Sequence, residues 1–422
     1  MQQQYRRVVV TGLGVISSIG NDIETFWNNL RSGVCGIEFV NEFEQAELPV
    51  KIAGRVKNFN PEEYGMDKPF TRKQDRFTLY GMAAAYQAMN DSGLCTTGEN
   101  RNIDPFRLGV YVGSGIGGFE VQYRETAKMI EDPTGKWVSP LFVPTMISNI
   151  AAGNIAIKHT AEGPCLDIVT ACATSSHCIG EAFRAIRHGY ADAIIAGGCE
   201  NATIPLGIAA FANARALSRA EDPNYASLPF NANRQGFVMG DGAGILILED
   251  YQHAKERGAK IYAEMVGYGN TCDAYHVTAP RPDGTTQSQC LKDALREAGF
   301  DASKDNLYIN AHGTGTHLND VAETKAYKLA LGDFAYKAHI SSIKSMTGHM
   351  FGAAGAAEAI TTVLALRDGI VPPTINLDSP DPECDLDYTP NVAVKTDLTI
   401  GISDSLGFGG HNACVAFRPF KG

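Results

Sequence analysis

Apolar residues recur at Ile179, Ala182, Phe183 and Ile186, the i, i+3, i+4, i+7 spacing of a helix with one buried face. A short apolar strand precedes it at Leu166-Asp167-Ile168-Val169, and the small residues Thr170-Ala171-Cys172-Ala173-Thr174-Ser175 make the turn between the two. The alternation continues along the chain. Residues 8–10, 108–112, 193–196 and 238–248 read as strands in the first part, and 261–267, 307–310, 340–343, 400–403 and 413–417 in the second. The pattern predicts helices over 22–30, with Asn21 or Asp22 as cap, over 83–89, 140–158, 251–258, 288–298 and 320–331, and through a Gly/Ala-rich run ending at Leu366. Residues 33–66, rich in Glu, Pro and Asn, read as irregular and surface-lying.

Strands alternating with helices imply mainly parallel sheets covered on both faces, so reactive groups belong at the carboxyl ends of strands. The chain has 422 residues, too many for one small core, and divides at 1–260 and 261–422. The parts echo each other: each carries a strand, a small-residue turn with a reactive group, and a helix ending in Arg-x-Gly, at Arg187-His188-Gly189 and Arg367-Asp368-Gly369.

A net charge of −11 argues against nucleic acid as the main ligand. The ten cysteines are scattered without a C-x-x-C pair, which fits a reducing, cytoplasmic setting. The start, Arg6-Arg7-Val8-Val9-Val10-Thr11-Gly12, reads as a first strand and its loop, since its apolar run is too short and glycine-broken for a signal peptide. No apolar run approaches membrane-spanning length.

Gly113-Ser114-Gly115-Ile116-Gly117-Gly118 matches G-x-G-x-x-G, but the acidic pair at a suitable distance, Glu131-Asp132, sits in a polar turn before Pro133 and not at a strand end, so a tight turn is the better reading than a dinucleotide site. Four other groups carry the chemistry. Cys172, His312, Lys344 and His349 all fall at strand-to-helix turns. A cysteine at a helix N-terminus is expected to ionise more easily than a free thiol. Zinc is a poor fit, because the ligands lack short pairing and Lys344 would set a cation beside the metal. A thiolate with two imidazoles and an ammonium suits acyl transfer followed by carbanion chemistry.

Thr170-Ala171-Cys172, Asn310-Ala311-His312-Gly313-Thr314-Gly315-Thr316, Lys344-Ser345-Met346-Thr347-Gly348-His349 and Gly407-Phe408-Gly409-Gly410 resemble, in order, the signatures of the β-ketoacyl-acyl-carrier-protein synthases, type II. The resemblance implies a thiolase-like α/β fold, two duplicated halves in five αβαβα layers, working as a homodimer. It implies that Cys172 takes an acyl chain from a carrier protein and that His312 and His349 jointly bind and decarboxylate a malonyl thioester. The product would be a 3-oxoacyl carrier protein two carbons longer, plus CO2, as in fatty acid elongation. Backbone N–H groups of Cys172 and Phe408 would form the oxyanion hole, with Phe408 as a gate. Lys344 would set the electrostatics, with Glu358 and Asp320 near it. Thr314 and Thr316 would bind the pantetheine arm and Ile116 would line the acyl pocket. No cofactor or metal is implied beyond the 4′-phosphopantetheine that the carrier protein brings.

Because the carrier protein is acidic, the basic cluster Lys68, Arg72, Lys73 and Arg76, with Arg215, becomes the expected docking patch. The chain departs from the family pattern at Thr174 and Ser175 after the nucleophile, at His317, Leu406 and His411, and at Leu228, Asn231, Gln235 and Asp241. These changes bear on acyl preference and gating, since the catalytic set is intact. The alternatives are a polyketide-type ketosynthase, a non-catalytic chain-length partner subunit, and a degradative thiolase using Cys414 as a second cysteine. Cys172 speaks against the partner subunit, and the Lys344–His349 motif against the thiolase.

Overall fold

The computed structural model describes residues 5–421. Ten strands form its main sheet. They are β1 (Val8–Ile16), β2 (Leu108–Gly113), β3 (Cys165–Leu166), β4 (Ala193–Glu200), β5 (Gly242–Asp250), β6 (Ala263–Cys272), β7 (Leu307–Asn310), β8 (His339–Ser341), β9 (Ile400–Gly407) and β10 (His411–Pro419). The longer helices are α1 (Ile23–Arg31), α2 (Arg76–Ser92), α3 (Phe119–Glu131), α4 (Ile150–His159), α5 (Thr174–Arg187), α6 (Pro205–Asn213), α7 (Thr285–Glu297), α8 (His317–Leu331) and α9 (Ala354–Asp368).

The strand order is β8-β7-β9-β10-β6-β1-β5-β4-β2-β3. Strands from residues 8–250 lie on one side of the β1/β6 seam and strands from 263–419 on the other. The seam is short, pairing only Val8–Val10 with Ala263–Met265. The sheet therefore folds at this point into two layers. Side-chain alternation shows what fills the space between them. Ile194, Ala196, Leu246 and Leu248 point inward against α5 and α9, as do Ala413, Val415 and Phe417 from the other layer. Their neighbours Ile195, Ile245 and Ile247 point outward under α2 and α4. On the opposite outer face Ile309, Ile402 and Ala416 pack under α7 and α8. The result is five layers, αβαβα, with α5 and α9 buried in the middle.

The middle position explains the composition of α9. A helix covered all round needs no polar face, and Ala354 to Leu366 are all buried. Local signals hold at many ends: Asp22 caps α1 by accepting from Thr25 N–H at 2.8 Å, and Gly369 closes α9 in the left-handed conformation.

Several expectations need correction. The stretch 140–158 is not one helix; it breaks at Ile147, which is extended, between Phe142–Met146 and α4. Residues 238–241 lead into β5 without belonging to it. The apolar strand before Cys172 shrinks to two exposed residues at the sheet edge. Residues 33–66 are not a surface wrap, because Ile37, Val40, Phe43, Val50 and Ile52 are buried in the same cluster as Cys172. Their apolar side chains are spaced too irregularly to read as a face in one dimension, yet they cap the reactive end of the sheet.

Candidate active site

The nucleophile turn is strained. Ala171 lies in the left-handed region at φ 51°, and Phe351, two residues after His349, does so at φ 45°. Non-glycine residues there are uncommon and cost of order 1 kcal/mol or more, so tertiary contacts hold both turns in place. On the Cys172 side, Thr174 Oγ1 accepts from Thr170 N–H at 2.9 Å, and Thr170 Oγ1 sits 2.8 Å from His177 Nδ1. On the other side, His349 stacks on Phe351 with ring centroids 4.9 Å apart and meets Phe237 edge-on at 5.3 Å.

Cys172 Sγ and His349 Nε2 are 3.0 Å apart. The His312 and His349 rings are perpendicular at 5.4 Å between centroids. All three side chains are buried. The sequence separates Cys172 from His349 by 177 positions, and the fold closes that gap by packing the starts of α5 and α9 together, so closely that a Cβ on Gly355 would lie 2.0 Å from Ser176 Oγ.

The electrostatics differ from the helix-terminus expectation. Burial pushes the Cys172 thiol up to about 12, against the pull of the Lys344 ammonium and the Phe408 N–H. Desolvation outweighs the half-charge of a helix end in so enclosed a site. Both imidazoles are held well below their ordinary value, by burial first and then by Lys344. Around neutral pH the resting pair is a thiol and a neutral imidazole, so the thiol donates to His349 Nε2. The nucleophile is thus activated by a base in contact with it.

Lys344 pairs with Glu358, both buried. Asp320 is not part of that pair: it faces Arg234 at 3.4 Å and accepts from Phe230 N–H at 2.8 Å. The carboxylate that serves this position is Glu323, one helical turn further along α8. It accepts from His312 N–H at 2.7 Å and Gly313 N–H at 2.8 Å, and Lys344 acts on it electrostatically. The i, i+3 relation to Asp320 was the available signal. Glu200 also escaped notice, although a lone carboxylate ending an apolar strand marks it.

A cavity of about 610 Å³ runs from Cys172, His312 and His349 to the surface. Ile116, Thr314, Thr316 and Phe408 line it, and Arg215 and His317 also border it. Thr314 and Thr316 hydroxyls are 3.0 Å apart. Phe408 is 40 % exposed. Gly407 lets the loop before it reach the nucleophile turn, since a Cβ there would lie 2.5 Å from Thr170 O. The basic cluster divides: Lys68 pairs with Glu62 at 3.4 Å and Arg76 with Glu120 at 3.5 Å, while Arg72, Lys73 and Arg215 are exposed. Among the described residues no cluster of His, Cys, Asp and Glu could hold a metal ion. Cys414 is buried on β10, in the outer core under α7 and α8 and away from the cavity, so it offers no second nucleophile.

Comparison with known proteins agrees with this geometry. The family model for the beta-ketoacyl synthase N-terminal domain matches residues 5–254, and that for the C-terminal domain matches 262–378. The chain is 48% identical over 415 residues to 3-oxoacyl-[acyl-carrier-protein] synthase 2 of Vibrio harveyi, covering 98% of each. It is 46% identical over 417 residues to the protein of that name in Synechocystis, covering 99% of each. The solved complex of a type II PKS acyl-carrier protein with its ketosynthase bound to the hexaketide aligns at a TM-score of 0.90 and 34% identity, covering 99% of this chain and 100% of that one.

Proposed function

Since the chain belongs to the beta-ketoacyl synthase family, we propose that it joins an acyl group on Cys172 to a malonyl-acyl-carrier protein, giving a 3-oxoacyl carrier protein and CO2 in fatty acid elongation. It is an acyltransferase of the 3-oxoacyl-acyl-carrier-protein synthase II type. The observation that carries this reading is the 3.0 Å approach of His349 Nε2 to Cys172 Sγ, with His312 beside it.

In the first step the thiol sulfur bonds to the acyl carbonyl carbon while its proton passes to His349 Nε2. The carbon–sulfur bond to the pantetheine arm then breaks, and the departing sulfur takes up that proton. Backbone N–H groups of Cys172 and Phe408 receive the oxyanion; one such donor is worth roughly 2.7–4 kcal/mol elsewhere. In the second step the malonyl carboxylate leaves as CO2, and the electron pair becomes an enolate stabilised by His312 and His349 together. Its carbon attacks the acyl carbonyl, the carbon–sulfur bond to Cys172 breaks, and the released sulfur anion takes up the one proton that the reaction draws from solution. Burial first, and Lys344 next, keep both imidazoles neutral between proton transfers, so that a ring nitrogen can either accept or donate. The chemistry calls for no cofactor of the protein's own.

Thr314 and Thr316 would bind the pantetheine arm, and Ile116 the acyl chain. Arg72, Lys73 and Arg215 would receive the acidic carrier protein, with Lys68 and Arg76 in supporting places. The short edge strand β3, with Leu166 on it and Val169 in the segment after it each 49 % exposed, suits pairing with a second copy. The ten free cysteines suit a reducing, cytoplasmic compartment, and among the described residues no helix is long and apolar enough to cross a membrane. The two parts, 1–260 and 261–422, are read as products of duplication.

The test is mass spectrometry on acyl and malonyl carrier proteins. The reading requires acylation at Cys172 and a product two carbons longer; absence of both refutes it. A preference for poly-oxo chains over saturated ones would instead favour the polyketide alternative. Sedimentation of the purified protein tests the homodimer.

A further inference from the structure

Resting on that condensation reading, we propose that Glu200 is a positioning residue that clamps the wall of the acyl cavity to the histidine-bearing turn and thereby sets the acyl-chain length Cys172 accepts. Glu200 ends β4 and is completely buried. Its carboxylate is filled by four donors. One oxygen, Oε1, accepts from the Ser114 hydroxyl at 2.8 Å and from Ile116 N–H at 3.3 Å. The other, Oε2, accepts from Gly115 N–H at 2.8 Å and from Gly352 N–H at 3.1 Å.

Two of these donors, Gly115 and Ile116, line the cavity, and Ser114 directly precedes them; the fourth follows directly on Phe351, the residue against which His349 stacks. One side chain from the first half of the molecule therefore holds together the acyl-chain wall and the turn that carries the base. There is little slack in the junction: a Cβ on Gly352 would lie 2.4 Å from Gly115 N and 2.8 Å from Glu200 Oε2. Since every partner is a donor, the carboxylate has no free lone pair for moving a substrate proton, and its effect is exerted through Ile116 and the Phe351 turn. Glutamine replaces it poorly: turned toward Gly115 and Gly352 its NH2 faces two N–H groups, and turned the other way it still faces Ile116 N–H beside the Ser114 hydroxyl, which can accept.

The experiment compares kcat/KM for a long and a short acyl carrier protein in wild type and Glu200→Gln. The expected result is a change of about tenfold in the long-to-short ratio, the scale of discrimination a reshaped apolar pocket gives. KM for malonyl carrier protein should change by less than about twofold on the same argument. An unchanged ratio in folded E200Q overturns the proposal. If E200Q does not fold, Gly352→Ala applies the same displacement with the carboxylate intact, and an unchanged ratio there overturns it equally. If wild type condenses no chain at all, the condensation reading fails on its own. The clamp is then judged by the chain-length dependence of Cys172 acylation from simple acyl thioesters, which an idle Glu200 would leave unaltered.

Discussion

Replacing Lys344 by Met should make the protein's stability fall more steeply with rising pH than wild type's does. The Lys344 and Glu358 side chains are 2 % and 1 % exposed and pair directly. Burial raises the Glu358 carboxyl, and Lys344 is what pulls it down. Methionine fills much of the lysine's volume but supplies no charge, so Glu358 is left alone in the core and its folded-state pKa climbs further. Native protein then holds a proton that the unfolded chain has already lost. With the folded pKa above the unfolded one, stability is fully present below the unfolded value, near 4.3 for Glu, and is lost as pH rises toward the folded value. The slope is about 1.4 kcal/mol per pH unit, or about 2.7 kcal/mol between about pH 5.5 and about pH 7.5 if Glu358 stays protonated throughout. Once the carboxylate ionises, the cost of a broken buried pair levels at roughly 3–5 kcal/mol. Urea unfolding of both proteins at the two pH values measures the difference, and Lys344→Met/Glu358→Gln should abolish it. A wild-type-minus-variant gap equal at both pH values would refute the reasoning.

Cys172→Ala should abolish condensation and keep malonyl decarboxylation, which needs only the histidines and the oxyanion donors; radiolabelled CO2 release and product analysis separate the two, and loss of both would contradict the division of labour. His312→Ala should lose decarboxylation in the same assay, and retained turnover would make this histidine structural. Reversing Arg72 and Lys73 to Glu should raise KM for carrier-bound substrates about tenfold or more, as loss of a complementary charged surface does, and spare a free pantetheine thioester; an equal effect on both would remove the docking patch. Gly407→Ala should slow Cys172 acylation, because the new Cβ would meet Thr170 O at 2.5 Å and push the gate loop off the oxyanion position; an unchanged acylation rate would show that the loop has room to yield.

The sequence by itself determined the alternation of strands and helices, the Gly/Ala-rich helix that became α9 and the choice of Cys172, His312, Lys344 and His349 as candidates. Those properties follow from periodicity and from short motifs at strand ends, which are local. What only the tertiary structure decided is non-local. Residues 33–66 show no periodic face, so their place over the reactive edge emerged only with the fold. Asp320 and Glu323 stand three positions apart on one helix, and only packing shows that Arg234 takes the first while the His312 turn takes the second. The state of Cys172 turned on the same point. A helix N-terminus favours a thiolate, but many of the neighbours that bury the sulfur, Ile37, His349 and Phe351 among them, come from segments more than a hundred residues away, and desolvation grows with every one of them.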